Sequence, residues 1–345
     1  MIDSLSASTG LLASDPMFWM PLALYGLLLF LLAGLVVLDG FDMGCGLLMP
    51  WMNPVSRART LDALTAWRGA NDAWVLLLFA VFMAAFPLGW STMLADMFVP
   101  VMFLVLGSVL RGLAFEFRAR ASMGQQEFWG ALFSLGSYFS VAGLGLWLTK
   151  YVNGPYQDLS AWVFVSLVML AVAANTVVLA ASWILTWASG ALRLFAARVG
   201  AALVRWIAAG MVAVSLVLAL TNPAIYYRWT HIQSLHFAVI VWVLMLAVFV
   251  LLERQLRAVA QDPQKKIWWL PLVLIALLDL AMLAGLMFSY FPFLVLDMIT
   301  VWDAAASRES LRWVMAGVVV CLPILLVFNV LGYWRLFRLK PVRFD

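Results

Sequence analysis

Long apolar runs separated by short polar stretches extend along almost the whole of this chain. Each run is close to the roughly 20 residues that a helix needs to cross a bilayer. Nine such segments are predicted, namely Phe18–Gly46, Ala70–Leu88, Met97–Phe117, Phe128–Lys150, Ala161–Trp187, Ala201–Leu220, Leu235–Glu253, Ile267–Phe291 and Leu311–Phe337. The pattern indicates an all-α polytopic membrane protein with nine transmembrane helices. We expect a single integral membrane domain over residues 1–345, with approximate halves 18–150 and 161–253 plus 267–337.

Composition supports the same class of protein. Hydrophobic residues make up 66% of the chain and charged residues only 11%, whereas ordinary globular chains carry roughly 25% charged residues. The 18 Trp and 23 Phe residues suit aromatic belts at the two membrane surfaces. The net charge of +4 does not indicate nucleic-acid binding, because the basic residues are scattered among short loops. Membrane lipid is the expected surrounding.

The distribution of Lys and Arg predicts the orientation, because cytoplasmic loops carry an excess of both. With the N-terminus outside, only four of the 21 Lys and Arg residues lie on the outer side. We therefore predict an N-out/C-in chain with an odd number of helices. No basic residue precedes the first span, so the N-terminus is not expected to be a secretory signal.

Two carboxylates end the first apolar run, in the sequence Leu-Asp-Gly-Phe-Asp-Met-Gly-Cys-Gly. Asp39 and Asp42 are spaced i,i+3 and so share one face of a helix. Gly40 and Gly44 form a G-x-x-x-G face that another helix backbone can approach closely. Ionisable groups at this depth need a partner or water, and the orientation places both carboxylates at the cytoplasmic end of the helix.

Asp72, near the start of the second segment, has two interpretations. It can form an i,i+4 ion pair with Arg68. It can also accept protons at the entrance of a polar path, which is the usual functional hypothesis for a carboxylate within a transmembrane helix. The two interpretations are compatible.

The third segment ends with several charged residues. Glu116 can pair with Arg120 one turn later, and it is a further candidate for a proton path. Arg111 lies deeper and has no counter-ion close in sequence. We expect Asp39 or Asp42 to be its counter-ion across the helix bundle.

Asp279 lies roughly 10–12 residues from either end of the eighth segment, about 15 Å deep at 1.5 Å per residue. A carboxyl group there must be protonated, paired or hydrated. One interpretation is a neutral acid bonded to a neighbouring helix, and the other is a proton path or a face towards a partner.

Further along, Asp303 is a candidate cap for the last helix.

Haem ligation by this chain is not expected. A haem needs axial His or Met ligands buried in the bundle, whereas His231 and His236 fall near the outer start of the seventh segment, and no spacing singles out one Met. Cys45 and Cys321 suggest neither a disulfide framework nor a metal pair. We interpret both as small buried apolar residues and predict no metal site.

Taken together, four motifs resemble subunit II of the cytochrome bd-type quinol oxidases, including the cyanide-insensitive branch. They occur in order along the chain, namely Asp-Gly-Phe-Asp-x-Gly-x-Gly ending helix one, Asn71-x-x-Trp74 in helix two, Arg111-Gly-x-Ala-Phe-Glu-Phe-Arg118 ending helix three, and Pro292-Phe293 with Trp302-Asp303-Ala304 before the last helix. The length and the nine-span topology also fit. The resemblance is weakest in helices four to seven.

The resemblance implies two four-helix bundles plus one peripheral helix, paired with a larger subunit I. In that family subunit I carries b-type and d-type haems and the quinol-oxidising loop. Subunit II carries no haem, completes the complex and helps to form the proton and oxygen routes. It can hold a quinone of structural role, and small single-span accessory subunits are possible further partners. The expected location is the bacterial cytoplasmic (inner) membrane.

The second helix departs from the family pattern, which commonly reads Trp-Asp-Gly-Asn-x-x-Trp. Depending on whether Asn71 or Trp67 anchors the alignment, Gly69 or Arg68 takes the place of the Asp that is regarded as the proton entrance. Either Asp72 takes over proton entry, or the route runs elsewhere, or the chain is a divergent member.

The family also places the counterpart of Trp74 beside an oxygen tunnel in subunit I. Trp74 and Trp67 are therefore candidates for an oxygen route or a subunit interface. Packing between helices is the alternative for Trp74, because buried Trp mostly supplies contact area.

Two other classes of function compete with the oxidase subunit. A secondary transporter would place broken helices and polar residues at matching positions of repeated halves. Here the polar groups gather at the cytoplasmic ends, and only Asp279 offers a site at the midplane. An assembly or scaffold protein is the third possibility. The catalytic unit in the leading interpretation is the complex, and this chain alone is expected to be inactive.

Overall fold

The computed structural model describes residues 6, 10–65, 68–153, 159–262 and 268–338. Within these ranges the chain is mostly helical, with one small hairpin, as expected where a backbone in lipid must satisfy its own hydrogen bonds. The elements are α1 (Pro16–Gly34), α2 (Gly40–Leu48), α3 (Pro54–Leu64), α4 (Arg68–Ala85), α5 (Pro87–Asp96), α6 (Phe98–Arg118), α7 (Met123–Asn153), α8 (Leu159–Trp187), α9 (Gly190–Thr221), α10 (Pro223–Thr230), α11 (Ile232–Gln261), α12 (Leu270–Tyr290), β1 (Phe293–Val295), β2 (Ile299–Thr300) and α13 (Arg308–Arg338).

The first apolar segment forms a helix of three consecutive parts. The Asp15 carboxylate caps it by accepting from the Met17 N–H at 2.8 Å, and a π-helical turn, Leu35–Asp39, joins α1 to α2. The apolar pattern alone does not predict the π-turn. Such turns occur frequently at functional sites, and this one ends at the first carboxylate of the Asp-Gly-Phe-Asp run.

The second apolar segment does not continue as one straight helix. It ends at Ala85, and α5 then leaves at an angle of 115°. Pro87 explains the break, because proline has no N–H to continue the helix and its ring restricts the residue before it. The predicted single segment Ala70–Leu88 is therefore wrong at its C-terminal end.

By length and composition, eight of the described helices can cross a membrane, or up to nine if the bent pair counts as one span. The all-α polytopic class is thus confirmed. The largest difference at a boundary is the start of α9, which begins at Gly190 where residue 201 was predicted. Arg193 and Arg198 interrupt the apolar pattern there but not the helix.

Two compact units divide the chain. The first comprises α1, α4, α5, the hairpin and α13. In it α4 packs against both α1 and α13. The backbone N–H of Ala306 donates to the Ala85 carbonyl at 2.9 Å, and the hairpin turns through Asp297, whose φ is 57°.

The second compact unit comprises α2, α3, α6 to α11, and α12 as far as Gly285. The pairs α6–α7 and α8–α9 have extensive contacts, and α2 packs against α7 and α8. Close approach depends on small residues. A Cβ on Gly107 of α6 would overlap the Ser140 side chain of α7.

Candidate functional site

A buried ion pair lies at the end of the π-turn. Arg111 donates from Nη1 to Asp39 Oδ1 at 2.7 Å and from Nη2 to Asp39 Oδ2 at 2.9 Å. The two side chains are only 4% and 6% exposed. Parallel bonds of this kind combine charge with fixed geometry. Leaving either partner of a buried pair alone is strongly unfavourable, so this pair ties α6 to the Asp-Gly-Phe-Asp run.

Glycines provide the space that this pair requires. A Cβ at Gly136 on α7 would lie 2.9 Å from both Cγ and N of Arg111.

On α2, a Cβ at Gly44 would overlap the Thr176 carbonyl of α8, and one at Gly40 would lie 2.9 Å from Leu179. The predicted close approach of another helix to the G-x-x-x-G face is confirmed, and that helix is α8.

Asp42 lies in the first turn of α2 and is 4% exposed. Arg111 and Asp39 compensate each other's charge, so an ionised Asp42 adds a formal negative charge to the same helix end. Two buried serines of α7 lie against the neighbouring helices, Ser137 beside Gly46 of α2 and Ser140 beside Gly107 of α6. Their hydroxyls can accept or donate hydrogen bonds.

Glu116 lies in the same helix as Arg111 but at the surface. It pairs with Arg120 at 2.6 Å, and the two side chains are 65% and 74% exposed. Nearby, Arg118 contacts Asp62 of α3 at 3.2 Å. The structure therefore does not place Glu116 in the buried group of Asp39, Asp42 and Arg111.

Asp279 is 3% exposed and lies nine residues after the start of α12. Its carboxyl group lies beside the side chain of Asn175 on α8. Within the described part of the chain, neither carboxyl oxygen has a well-formed hydrogen bond. Asp279 is thus a buried carboxyl group next to the amide of a neighbouring helix.

The start of α4 contains several of the predicted residues. Arg68 and Asp72 lie in that helix, but their side chains, and Trp67 as a whole, are outside the described residues. The Arg68–Asp72 pair and the proton entrance at Asp72 therefore stay predictions. Asn71, one residue before Asp72, is almost completely buried.

Trp74 of α4 lies against α1 inside the first compact unit. It is 5% exposed, and a Cβ on Gly34 would overlap its ring. The Phe30 ring lies 5.4 Å away, centroid to centroid. The indole N–H has no acceptor among the described residues. Trp74 thus packs on the last residue before the π-turn.

Trp302 and Asp303 stabilise the connection between the hairpin and α13. The Trp302 indole donates to the Phe18 carbonyl at 3.0 Å and stacks on the Phe18 ring at 5.5 Å. Asp303 Oδ2 accepts from the Thr300 hydroxyl at 2.6 Å and from the Thr300 N–H at 3.1 Å. The predicted helix cap at Asp303 is wrong, because α13 begins only at Arg308.

The remaining candidate ligands do not form a site. His231 and His236 are exposed, which does not fit the buried position that an axial haem ligand needs. Across the described ranges, no three His, Cys, Asp or Glu side chains are grouped to hold a metal ion. Cys45 is buried, but Cys321 on α13 is exposed. The prediction that both are buried is wrong for Cys321, because apolar periodicity cannot separate a lipid-facing position from a protein-facing one.

Two relationships were missed by reasoning from the sequence. Gly136 makes room for Arg111, and Gly34 makes room for Trp74. Both glycines interrupt apolar helices, which is a signal for close packing. That signal does not identify the side chain that fills the space.

Comparisons with known proteins agree with the earlier resemblance. The family model described as cytochrome bd terminal oxidase subunit II matches residues 20–336. The chain is similar to the cytochrome bd ubiquinol oxidase subunit 2 of Bacillus subtilis, with 29% identity over 131 residues, which are 37% of this chain and 39% of that protein. It is also similar to the probable cytochrome oxidase subunit 2 of Haemophilus influenzae, with 29% identity over 96 residues, 27% of this chain and 25% of that protein. These alignments cover well under half of each curated relative.

Among solved structures, the chain is similar to one chain in the structure of bd oxidase from Geobacillus thermodenitrificans. The TM-score is 0.75, with 15% sequence identity, and the match covers 92% of this chain and 98% of that one. At that identity the likeness shows a shared fold.

Proposed function

Because this chain belongs to the cytochrome bd terminal oxidase subunit II family, we propose that it is the haem-free subunit of a quinol:oxygen oxidoreductase. The complex oxidises quinol and reduces dioxygen to water, and the isolated chain is inactive. The b-type and d-type haems belong to the partner, subunit I. The exposed positions of His231 and His236 support this division of roles.

We propose the architecture of the family for the membrane-embedded chain. It forms one integral domain over residues 1–345, with nine transmembrane helices in an N-out/C-in orientation. Its approximate halves, 18–150 and 161–253 plus 267–337, correspond to two four-helix bundles and a peripheral helix. The location is the bacterial inner membrane. Subunit I, quinone and lipid are the partners, with small single-span subunits as further candidates.

The buried Asp39–Arg111 pair is the observation that carries the proposed role in assembly and proton access. The pair fixes the end of the π-turn against α6, which holds Asp42 at a defined position one turn later. Carboxyl groups within a membrane mark proton paths when they line a polar region. We assign Asp39 and Asp42 to the cytoplasmic end of such a path, with Asp72 as the entrance and Glu116 as a surface proton collector. For Asp279 at the midplane we propose a neutral acid beside Asn175, and a place on the proton path is the alternative that its replacement tests.

Oxygen access is the second proposed contribution. Dioxygen is small and apolar, so it partitions into lipid and can enter between apolar side chains. Trp74, with Trp67, is proposed to border that route or the subunit interface. The overlap of a Gly34 Cβ with the Trp74 ring supports the packing alternative as well.

Purification of the chain with its natural partners, followed by a reduced-minus-oxidised haem spectrum, tests the proposed function. We expect haem-bearing subunit I to copurify and the complex to oxidise quinol with oxygen uptake. A chain that purifies without a haem protein would contradict the proposal. The transporter alternative, with a site near Asp279, would then require binding of a small substrate by the purified chain.

Replacing Asp72 tests the proton entrance. In the assembled oxidase, we expect Asp72→Asn to slow turnover and proton uptake at neutral pH. Asp62→Asn is a suitable control, because Asp62 is 72% exposed at the protein surface. Equal turnover of the two variants would exclude Asp72 as the entrance.

A further inference from the structure

A cluster of arginines lies where α9 and α11 meet. Arg205 Nε and Arg257 Nη2 each lie 2.7 Å from the same oxygen of Glu253. The Arg205 and Arg257 side chains are 67% and 48% exposed, whereas that of Glu253 is 19% exposed. Arg254 is also exposed and is an i,i+3 neighbour of Arg257, so the two share a face of α11.

The charges of this cluster do not balance. The cluster contains one carboxylate, which contacts two of its three guanidinium groups, and the formal charge of the four residues is +2. A guanidinium has five N–H donors, and the contacts to Glu253 use one nitrogen of Arg205 and one of Arg257. The other N–H groups of these guanidinium groups can donate hydrogen bonds to a further anion. Planar guanidinium groups suit phosphate because they can donate two parallel bonds.

The cluster lies at a membrane boundary. From Glu253 back to the start of α11 at Ile232 is about 32 Å at 1.5 Å per residue, which is close to the roughly 30 Å of a hydrocarbon core. Trp206, next to Arg205, is 45% exposed, as expected for an aromatic side chain at headgroup level.

An apolar stripe continues from the cluster along α11. Leu246, Val243 and Val239 precede Arg257 by 11, 14 and 18 residues, spacings that return to the same helical face. They are 61%, 59% and 51% exposed. Leu246 lies about 16 Å from Arg257 along the helix axis. The arginine cluster thus lies at the end of an exposed apolar stripe that extends along α11 into the membrane.

We propose that Arg205, Arg254 and Arg257 bind the phosphate of an anionic phospholipid whose acyl chains lie along Val239, Val243 and Leu246. The charge surplus selects an anion, and the stripe selects a lipid over a free phosphate ion. Basic pockets between membrane helices are known to bind anionic headgroups. The site depends only on a membrane-embedded chain, and it is independent of the proposed oxidase role.

Lipid titration of the purified complex tests the site. Delipidated complex is mixed with phosphatidylglycerol or phosphatidylcholine, and bound lipid is counted by native mass spectrometry. The variant R205Q/R257Q is compared with R118Q/R120Q, which removes the same charge from two other ion-paired arginines whose side chains are 15% and 74% exposed. Thermal unfolding of each complex shows whether the variants fold equally well.

We expect the wild-type complex to retain phosphatidylglycerol in preference to phosphatidylcholine. Each arginine near a lipid surface is worth about fivefold in affinity, so R205Q/R257Q should bind phosphatidylglycerol about 25-fold more weakly. R118Q/R120Q should bind it like the wild type.

Three outcomes would overturn the proposal. One is equal loss of phosphatidylglycerol in both double variants, which would indicate a general effect of charge. Another is binding of glycerol phosphate, which has no acyl chains, as tightly as the lipid. The third is chemical cross-linking of the segment around Arg257 to another subunit, which would show that protein covers the cluster.

Discussion

Arg111 reaches Asp39 by passing directly over Gly136. A Cβ at residue 136 would lie 2.9 Å from Arg111 Cγ and 2.8 Å from the Gly107 carbonyl oxygen. Within the second compact unit, the buried ion pair thus depends on a missing side chain in a third helix. The relationship explains why α6 and α7 can approach so closely at a charged position.

Gly136→Ala should therefore destabilise the protein. Overpacking a tight contact costs about 1–3 kcal/mol, and the added methyl group would also push Arg111 away from Asp39. We expect a lower midpoint of thermal unfolding for the purified complex. Gly124→Ala in the same helix is the matched control, because a Cβ there meets nothing within 4 Å. Equal midpoints for the two variants would contradict the assigned contact.

Removing Arg111 should be more damaging than removing Arg118, an arginine whose carboxylate partner is exposed. Arg111→Met leaves the Asp39 carboxylate buried without its partner, at a cost of about 3–5 kcal/mol. Arg118→Met breaks a pair whose Asp62 partner is 72% exposed, and surface pairs contribute about 0–1 kcal/mol.

The double variant Asp39→Asn with Arg111→Met distinguishes an unpaired charge from a general packing defect. We expect it to recover part of the thermal stability lost in Arg111→Met. A double variant that is less stable than Arg111→Met would argue against burial of an unpaired carboxylate as the cause.

Gly34→Ala should disturb the packing of Trp74 against the start of the π-turn. Its Cβ would overlap the indole ring, so the ring or the helix must move. Overpacking of this kind costs about 1–3 kcal/mol. Gly26→Ala in the same helix is the control, because its Cβ would meet no atom within 4 Å. We expect a lower unfolding midpoint and altered Trp fluorescence for Gly34→Ala alone, and unchanged spectra would refute the contact.

Asp279→Asn should be tolerated if Asp279 is a neutral acid beside Asn175. The amide keeps the shape and the hydrogen-bonding capacity of a protonated carboxyl group, so we expect near-normal assembly and proton uptake. Asp279→Leu should lower stability by about 1–3 kcal/mol, because the Asn175 side chain would lose its polar neighbour. Loss of proton uptake in a well-assembled Asp279→Asn complex would instead assign Asp279 to the proton path.

The sequence alone determined the class of the protein and its family. Apolar runs of spanning length require helices because lipid offers the backbone no hydrogen bonds. The run from Leu38 to Gly46 also predicted close helix packing, because glycines four residues apart leave one helical face without side chains. Both features are local, so they can be read along the chain.

The tertiary structure decided how those local features meet. The position of Arg111 along its predicted helix did not distinguish Asp39 from Asp42 as its counter-ion. The fold pairs Arg111 with Asp39. The choice depends on the π-turn, on Gly136 and on how closely α6 approaches α7, none of which has a periodic signal. The tertiary structure also shows that Asp303 binds Thr300 in a turn and does not cap a helix, and that Cys321 is exposed. An ion pair across 72 residues depends on the distance between helices, and that distance is a property of packing.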